Sequence, residues 1–154
     1  MNRYEIIKDQ FFADLNRRCF GLNLNEAMLH LVQVATFNIL IGKKEGFDTE
    51  LCAIAGLLHD SATYLNNNSH NHALLSGEYA RKLMVKSGLF EDLEIDMVTQ
   101  AIANHSSKKR IDDKFSEILK ASDVASSYLL NGCNLVARKH EPYLHYLKKL
   151  NLLD

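Results

Sequence analysis

The sequence predicts an all-α, single-domain bundle of about six or seven helices, and three observations carry that prediction. The 154 residues hold one proline, Pro142, and seven glycines, too few to punctuate a series of short strands. No hairpin dipeptide joins two alternating apolar runs. Apolar residues recur instead at helical spacing, most plainly at Leu51, Ile54, Ala55 and Leu58.

The first helix runs from about Tyr4 to Arg18 and offers Ile6, Ile7, Phe11, Phe12 and Leu15 to the core. Asn23 or Asn25 caps a second, reaching about Lys43, on which His30, Val34, Phe37 and Ile41 share one stripe. Gly42 and Gly46 end it. Asp48 caps the third, whose apolar run Leu51 to Leu58 closes on His59-Asp60. Burying Asp60 beside such a run is costly unless a cation answers it. Adjacent helical residues diverge by about 100°, so His59 and Asp60 need not crowd one ion. Asn66 to Ser69 reads as a polar loop. The fourth helix, about Asn71 to Lys86, sets His72, Leu75, Tyr79 and Leu83 on one side, and Gly88 stops it. The fifth, about Glu91 to Asn104, leads Val98, Ala101 and Ile102 onto His105 and the loop Ser106-Ser107-Lys108-Lys109-Arg110. The sixth, about Asp113 to Leu130, carries Phe115, Leu119, Asp123 and Ser126 near one stripe. A seventh segment around Pro142 closes the chain. On it Leu144, Leu147 and Leu150 either pack internally or line the seam of a homodimer.

Composition excludes several function classes. Net charge is -1, from 18 basic and 19 acidic residues, so no global field recruits nucleic acid or an anionic membrane. Cys19, Cys52 and Cys133 lack CxxC spacing, which argues against a disulfide framework and a thiolate zinc site. No uninterrupted apolar run reaches the roughly 18 residues of a membrane span. There is no Gly-rich phosphate loop and no GxSxG elbow. A cytoplasmic enzyme or binding protein is the expectation.

A single imidazole on an apolar face is more often a hydrogen-bonded core residue than a ligand. Several of them together with Asp60 and Asp123 point to a shared metal, which satisfies many buried polar groups at once. Helical bundles build such sites from side chains projecting inward off facing helices. His70 stands two residues before His72 and is its alternative. His140 and His145 read as surface residues, Cys52 as a small buried hydrophobe and Tyr64 as core.

In order, His30, His59-Asp60, His72, His105 and Asp123 resemble the H…HD…H…H…D pattern of HD-domain metal-dependent phosphohydrolases. The apolar run before the pair, Ala-Ile-Ala-Asn-His-Ser around His105 and Ala121-Ser122-Asp123 are similar as well, over about residues 24 to 131. The resemblance implies one HD-type domain over residues 1–154 holding one or two divalent transition metals. His30, His59, Asp60 and Asp123 would hold the first, His72 and His105 the second, with Asp60 bridging; His59, Asp60 and His105 are the implied catalytic residues. Imidazole and carboxylate donors suit Fe, Mn, Zn, Co or Ni. Two ions about 3.5–4 Å apart can clamp the attacking and leaving oxygens of a phosphate. The implied substrate is a small phosphorylated metabolite, a nucleotide first. The alternatives are a mixed-valent di-iron oxygenase of the same fold and a non-catalytic nucleotide-binding HD module.

Two features depart from relatives of this kind. Many two-metal HD enzymes carry Lys three positions after the Asp, where this chain has Thr63. Lys108, Lys109 and Arg110 are the candidates to supply phosphate-binding charge instead, with a solvated loop slightly favoured. After Asp123 the chain reads Val124-Ala125-Ser126-Ser127-Tyr128, without the Asp-x-x-Glu-Pro-x-Arg ending of the dinucleoside tetraphosphatase branch.

Overall fold

The computed structural model describes residues 2–134 and 137–153, and among these it contains eight α-helices and no strand. They are α1 (Arg3–Arg18), α2 (Gly21–Lys44), α3 (Thr49–Leu58), α4 (Ser61–Asn66), α5 (His72–Ser87), α6 (Asp92–Asn104), α7 (Lys114–Leu130) and α8 (Glu141–Lys149). Local chemistry sets most starts. Asn2 and Glu5 form a capping box on α1, Asp48 accepts from the amides of Glu50 and Leu51, and Asp113 accepts from that of Ser116. The second helix differs from expectation: it begins at Gly21, ahead of Asn23 and Asn25, with no side-chain cap. Gly21 sits at φ +62, a left-handed turn that glycine adopts at little cost, and this turn fixes the start.

Helix α3 is the axis of the fold. Every residue from Leu51 to Leu58 is buried, as expected of a helix surrounded by others and not one showing a single stripe. Around it, Ile7, Phe11 and Leu15 of α1, Leu31 and Val34 of α2, Leu83 and Met84 of α5, Val98 and Ile102 of α6, and Phe115 and Leu119 of α7 make one continuous core. Helices α2 and α3 touch backbone to backbone: a Cβ on Gly56 would lie 2.5 Å from Ala35 Cα. A buried polar link joins three helices. Asn38 of α2 donates to Cys52 O (2.7 Å), and Ser122 of α7 donates to Asn38 Oδ1 (3.0 Å).

A second cluster gathers Ile41, Ile118, Ala121, Val124 and Ala125 against Tyr143 and Leu147 of α8, with Leu144 and Leu150 packed on it. The leucines of the last helix therefore pack within the chain. Two further differences concern the sequence pattern. Asn23–Lys44 does reach the length and mean hydropathy (1.3) of a spanning helix, because its polar residues are scattered among apolar ones; in the fold it is packed against α3 and α7. After the third helix stops at Leu58, where its apolar run ends, a separate short helix, α4, also forms ahead of the polar loop. Asp60, at φ -110 and ψ 18, separates the two.

Candidate metal centre

That break positions the site. His59 is the C-cap of α3 and Asp60 the N-cap of α4, so neighbours that would diverge on one helix converge instead, His59 Nε2 standing 3.4 Å from Asp60 Oδ2. His72 opens α5 and His105 caps the end of α6. His30 and Asp123 come from the middles of α2 and α7.

The imidazoles at the helix ends share one local device. His59 Nδ1 donates to Gly56 O (2.8 Å), His105 Nδ1 to Ile102 O (2.7 Å) and His72 Nδ1 to Ser69 O (2.9 Å), always three residues back. For His59 the acceptor is one of the carbonyls that a helix end leaves unpaired, while Ile102 O also accepts the His105 amide. Each bond puts the proton on Nδ1 and turns the Nε2 lone pair inward, the arrangement that ligand-orienting hydrogen bonds produce in metal sites. His30 is oriented from its other side, with Nδ1 3.4 Å from Ser126 Oγ.

The Nε2 atoms meet the carboxylates in two groups. Asp60 Oδ2 lies 3.6 Å from His30 and 3.4 Å from His59, while Asp60 Oδ1 lies 3.3 Å from His72 and 3.2 Å from His105. Asp123 Oδ1 is 3.6 Å from His30 and 3.8 Å from His59. The structure thus brings together His30, His59, Asp60, His72, His105 and Asp123. His70 is exposed and does not join them.

This arrangement fits a cation. Asp60 Oδ1 is buried without a hydrogen-bond partner, because the imidazoles facing it have already spent their protons on backbone carbonyls. His30 Nε2 and His59 Nε2 face each other at 3.2 Å. Lone pairs pointed at one another and at a carboxylate repel unless positive charge sits among them. Burial alone would raise the Asp60 carboxyl, yet the surrounding imidazoles, His59 foremost and then His105 and His30, hold it well below the carboxylate range. Asp123 is held down likewise: burial opposes, but Lys108 foremost, then His59 and His105, outweigh it. Burial would lower His59, but Asp60 and Asp123 raise it; for His105 burial wins and its value falls. Overlapping triads, His30–His59–Asp60, His59–His105–Asp123 and Asp60–His72–His105, each offer donor atoms within 4.8 Å of one another, so the cluster can hold metal. Nitrogen and oxygen donors without thiolate suit a divalent transition ion.

The basic run after His105 divides. Lys108 is not solvated: its side chain is 5% exposed, and its ammonium donates to Asp123 Oδ2 (2.6 Å) and His105 O (2.6 Å). A cation capping the carbonyl end of α6 is favourable, which is why the turn folds back over the helix. Lys109 and Arg110 are exposed and point elsewhere, Arg110 to Asp112 and Asn104. His145 is exposed as expected, but His140 is half-buried; burial, then Lys108 and Lys139, lower its value. Tyr64 is half-buried and packs against the main core, as expected, and burial and then the charges of Asp60, Glu26 and Asp123 raise its hydroxyl value. Sequence reasoning missed Asn38 and Ser126 as supports, although a lone Asn inside the apolar face of α2 is the kind of signal that marks one.

A helical bundle that converges four imidazoles and two carboxylates on one centre has the donors to hold a metal ion. The sequence model of the HD domain family matches residues 28–151, and the chain belongs to that family. Comparison with the curated proteins gives no match. The fold is similar to the crystal structure of a predicted HD superfamily hydrolase from an uncultured Thermotogales bacterium. The TM-score is 0.64 at 19% identity, over 98% of this chain and 95% of that one.

Proposed function

We propose that the protein is a metal-dependent phosphohydrolase acting on a small phosphorylated metabolite, with nucleotides the first class to test. The observation that carries this reading is Asp60, whose two oxygens address different imidazole pairs. Oδ2 faces His30 and His59; Oδ1 faces His72 and His105. In this reading His30, His59, Asp60 and Asp123 hold one ion, and His72 and His105 with Asp60 hold a second. When bound, such metals supply a water acidified toward a pKa near 7 and positive charge for phosphoryl oxygens. Membership of the HD domain family and the hydrolase name of the Thermotogales neighbour support the same class.

The chain's own residues do the positioning. The Nδ1 bonds to Gly56, Ile102 and Ser69 fix three imidazole planes before any ligand arrives, so little reorganisation is needed on binding. Lys108 holds Asp123 through Oδ2 and leaves Oδ1 toward His30 and His59. It also brings an ammonium to the edge of the ligand set, where phosphate oxygens of the substrate can take a hydrogen bond. In this role it stands in for the lysine that position 63, a threonine, does not provide.

The test is metal analysis of the purified protein, followed by phosphate release from mono-, di- and dinucleotides in Mn or Co. Metal-dependent release that disappears in Asp60→Ala supports the reading. Tightly bound iron with oxygen uptake and no phosphate release would replace it with the oxygenase alternative. Nucleotide binding without turnover would reduce the protein to a binding module.

A further inference from the structure

Lys109 and Arg110, which turn away from the metal centre, border a cavity of about 600 Å3 between the α6–α7 loop, the start of α7 and α8. Small-molecule sites usually span roughly 300–1,000 Å3. Its walls include Ile111, Pro142, Tyr143 and Tyr146. The phenol hydroxyls are already committed, Tyr143 donating to Glu117 (3.2 Å) and Tyr146 to Glu45 (2.6 Å), so what the tyrosines have left for a ligand is ring surface. Ile111 is 88% exposed, a large aliphatic side chain left in water beside the cavity.

The charge is one-sided. Lys108, Arg110 and Lys114 line the cavity with their charges paired to Asp123, Asp112 and Glu45. Lys109 and Lys139 line it too, and among the described residues neither has an acidic partner. The only carboxylate in the lining, Glu117, is saturated by Lys120, Tyr143 and the Asp112 amide. Uncompensated lysines beside aromatic and aliphatic walls match a ligand that is anionic at one end and flat and apolar at the other.

We propose that this cavity is a second ligand site, separate from the metal centre, that binds small anionic molecules carrying an aromatic body. Only Lys108 belongs to both places: its stem lines the cavity while its ammonium is held by Asp123. Binding here does not depend on metal or on any reaction at the HD centre.

The test is a fluorescence titration of the full chain, with and without chelator, using anilinonaphthalene sulfonate as the anionic probe and N-phenylnaphthylamine as its neutral counterpart. The sulfonate should bind one-to-one, unaffected by chelator, and about ten-fold more tightly than the neutral probe. Lys109→Glu combined with Lys139→Glu should weaken the sulfonate about ten-fold and leave the neutral probe within two-fold. Ile111→Asp, a change at an exposed position, should weaken both. Circular dichroism checks that the variants are folded. The proposal is overturned if one-to-one sulfonate binding is absent, if the neutral probe binds equally well, or if neither variant changes the sulfonate Kd.

Discussion

Replacing Gly56 with alanine should damage the fold and the metal centre in one step. In an exposed helix interior this change stabilises by about 1 kcal/mol. Here the new Cβ would lie 2.5 Å from Ala35 Cα, 2.8 Å from its nitrogen and 3.0 Å from Val34 C, all backbone atoms. No side chain can rotate away, so α2 and α3 must separate by about 1 Å to restore ordinary contact. Overpacking of this kind costs about 3 kcal/mol, which leaves a net loss of about 2 kcal/mol and a fall in Tm of about 4–8 °C. The same shift pulls His30 on α2 away from His59, whose orientation depends on the Gly56 carbonyl. Metal content of purified Gly56→Ala should therefore fall with its stability. Gly42→Ala is the control: its Cβ would strike the Cys52 side chain, so adding Cys52→Ala should recover most of the loss. Calorimetry and metal analysis on the three variants decide the matter. A Gly56→Ala protein as stable and as metal-rich as the parent would refute the close-contact reasoning.

Other consequences can be measured on the same protein. Asp60→Ala should lose bound metal and phosphatase activity together, read by metal analysis and phosphate release, because it removes the one carboxylate that faces both imidazole pairs. Chelation should lower Tm by several degrees, since an ion at about 100 times its Kd stabilises the native state by about 2.7 kcal/mol; an unchanged melting curve with metal removed speaks against a stabilising ion. Lys120 is fully buried and donates to Asp112 (2.6 Å), Glu117 (2.7 Å) and Arg110 O (2.8 Å). Lys120→Met should cost about 3 kcal/mol in urea unfolding, the low end for a broken buried pair because both carboxylates keep some solvent. Asp112 adds a pH dependence of its own: burial would raise its value, but Lys120 and then Arg110 hold it below the ordinary one. A lowered folded value stabilises above the unfolded pKa of about 3.9 and stops doing so as pH falls through the folded value. The stability gap between the parent and Asp112→Asn should thus be flat near neutrality and close in acid.

The helices were legible wherever apolar spacing and a cap agreed, as at Asp48, Asp113 and Gly88. Their breaks were less so. The run Leu51 to Leu58 continues smoothly into Ser61, Ala62 and Leu65, which are also buried, and nothing in the pattern marks Asp60 as the joint. At that joint Asp60 faces His59, His72 and His105, neighbours that only the tertiary fold supplies. The ligand candidates were found by type and order, but Lys108 could not be placed from sequence. A lysine in a basic loop looks solvated until the fold sets a carboxylate and a helix carbonyl within reach. Lys109 and Arg110 have the same local context and the opposite fate.

Three of the converging imidazoles stand where a helix stops or starts, each anchored to a carbonyl three residues behind it. Connecting loops that hold no such anchor can therefore change in length and content without retuning the donors, provided the termini stay in register. An added residue ahead of Ser69, whose carbonyl anchors His72, should be far better tolerated than one inside α3 or α6, which would rotate its terminal histidine by about 100° out of the cluster. The connections that carry neither a donor nor an anchor are thus mechanically uncoupled from the most demanding geometry of the molecule.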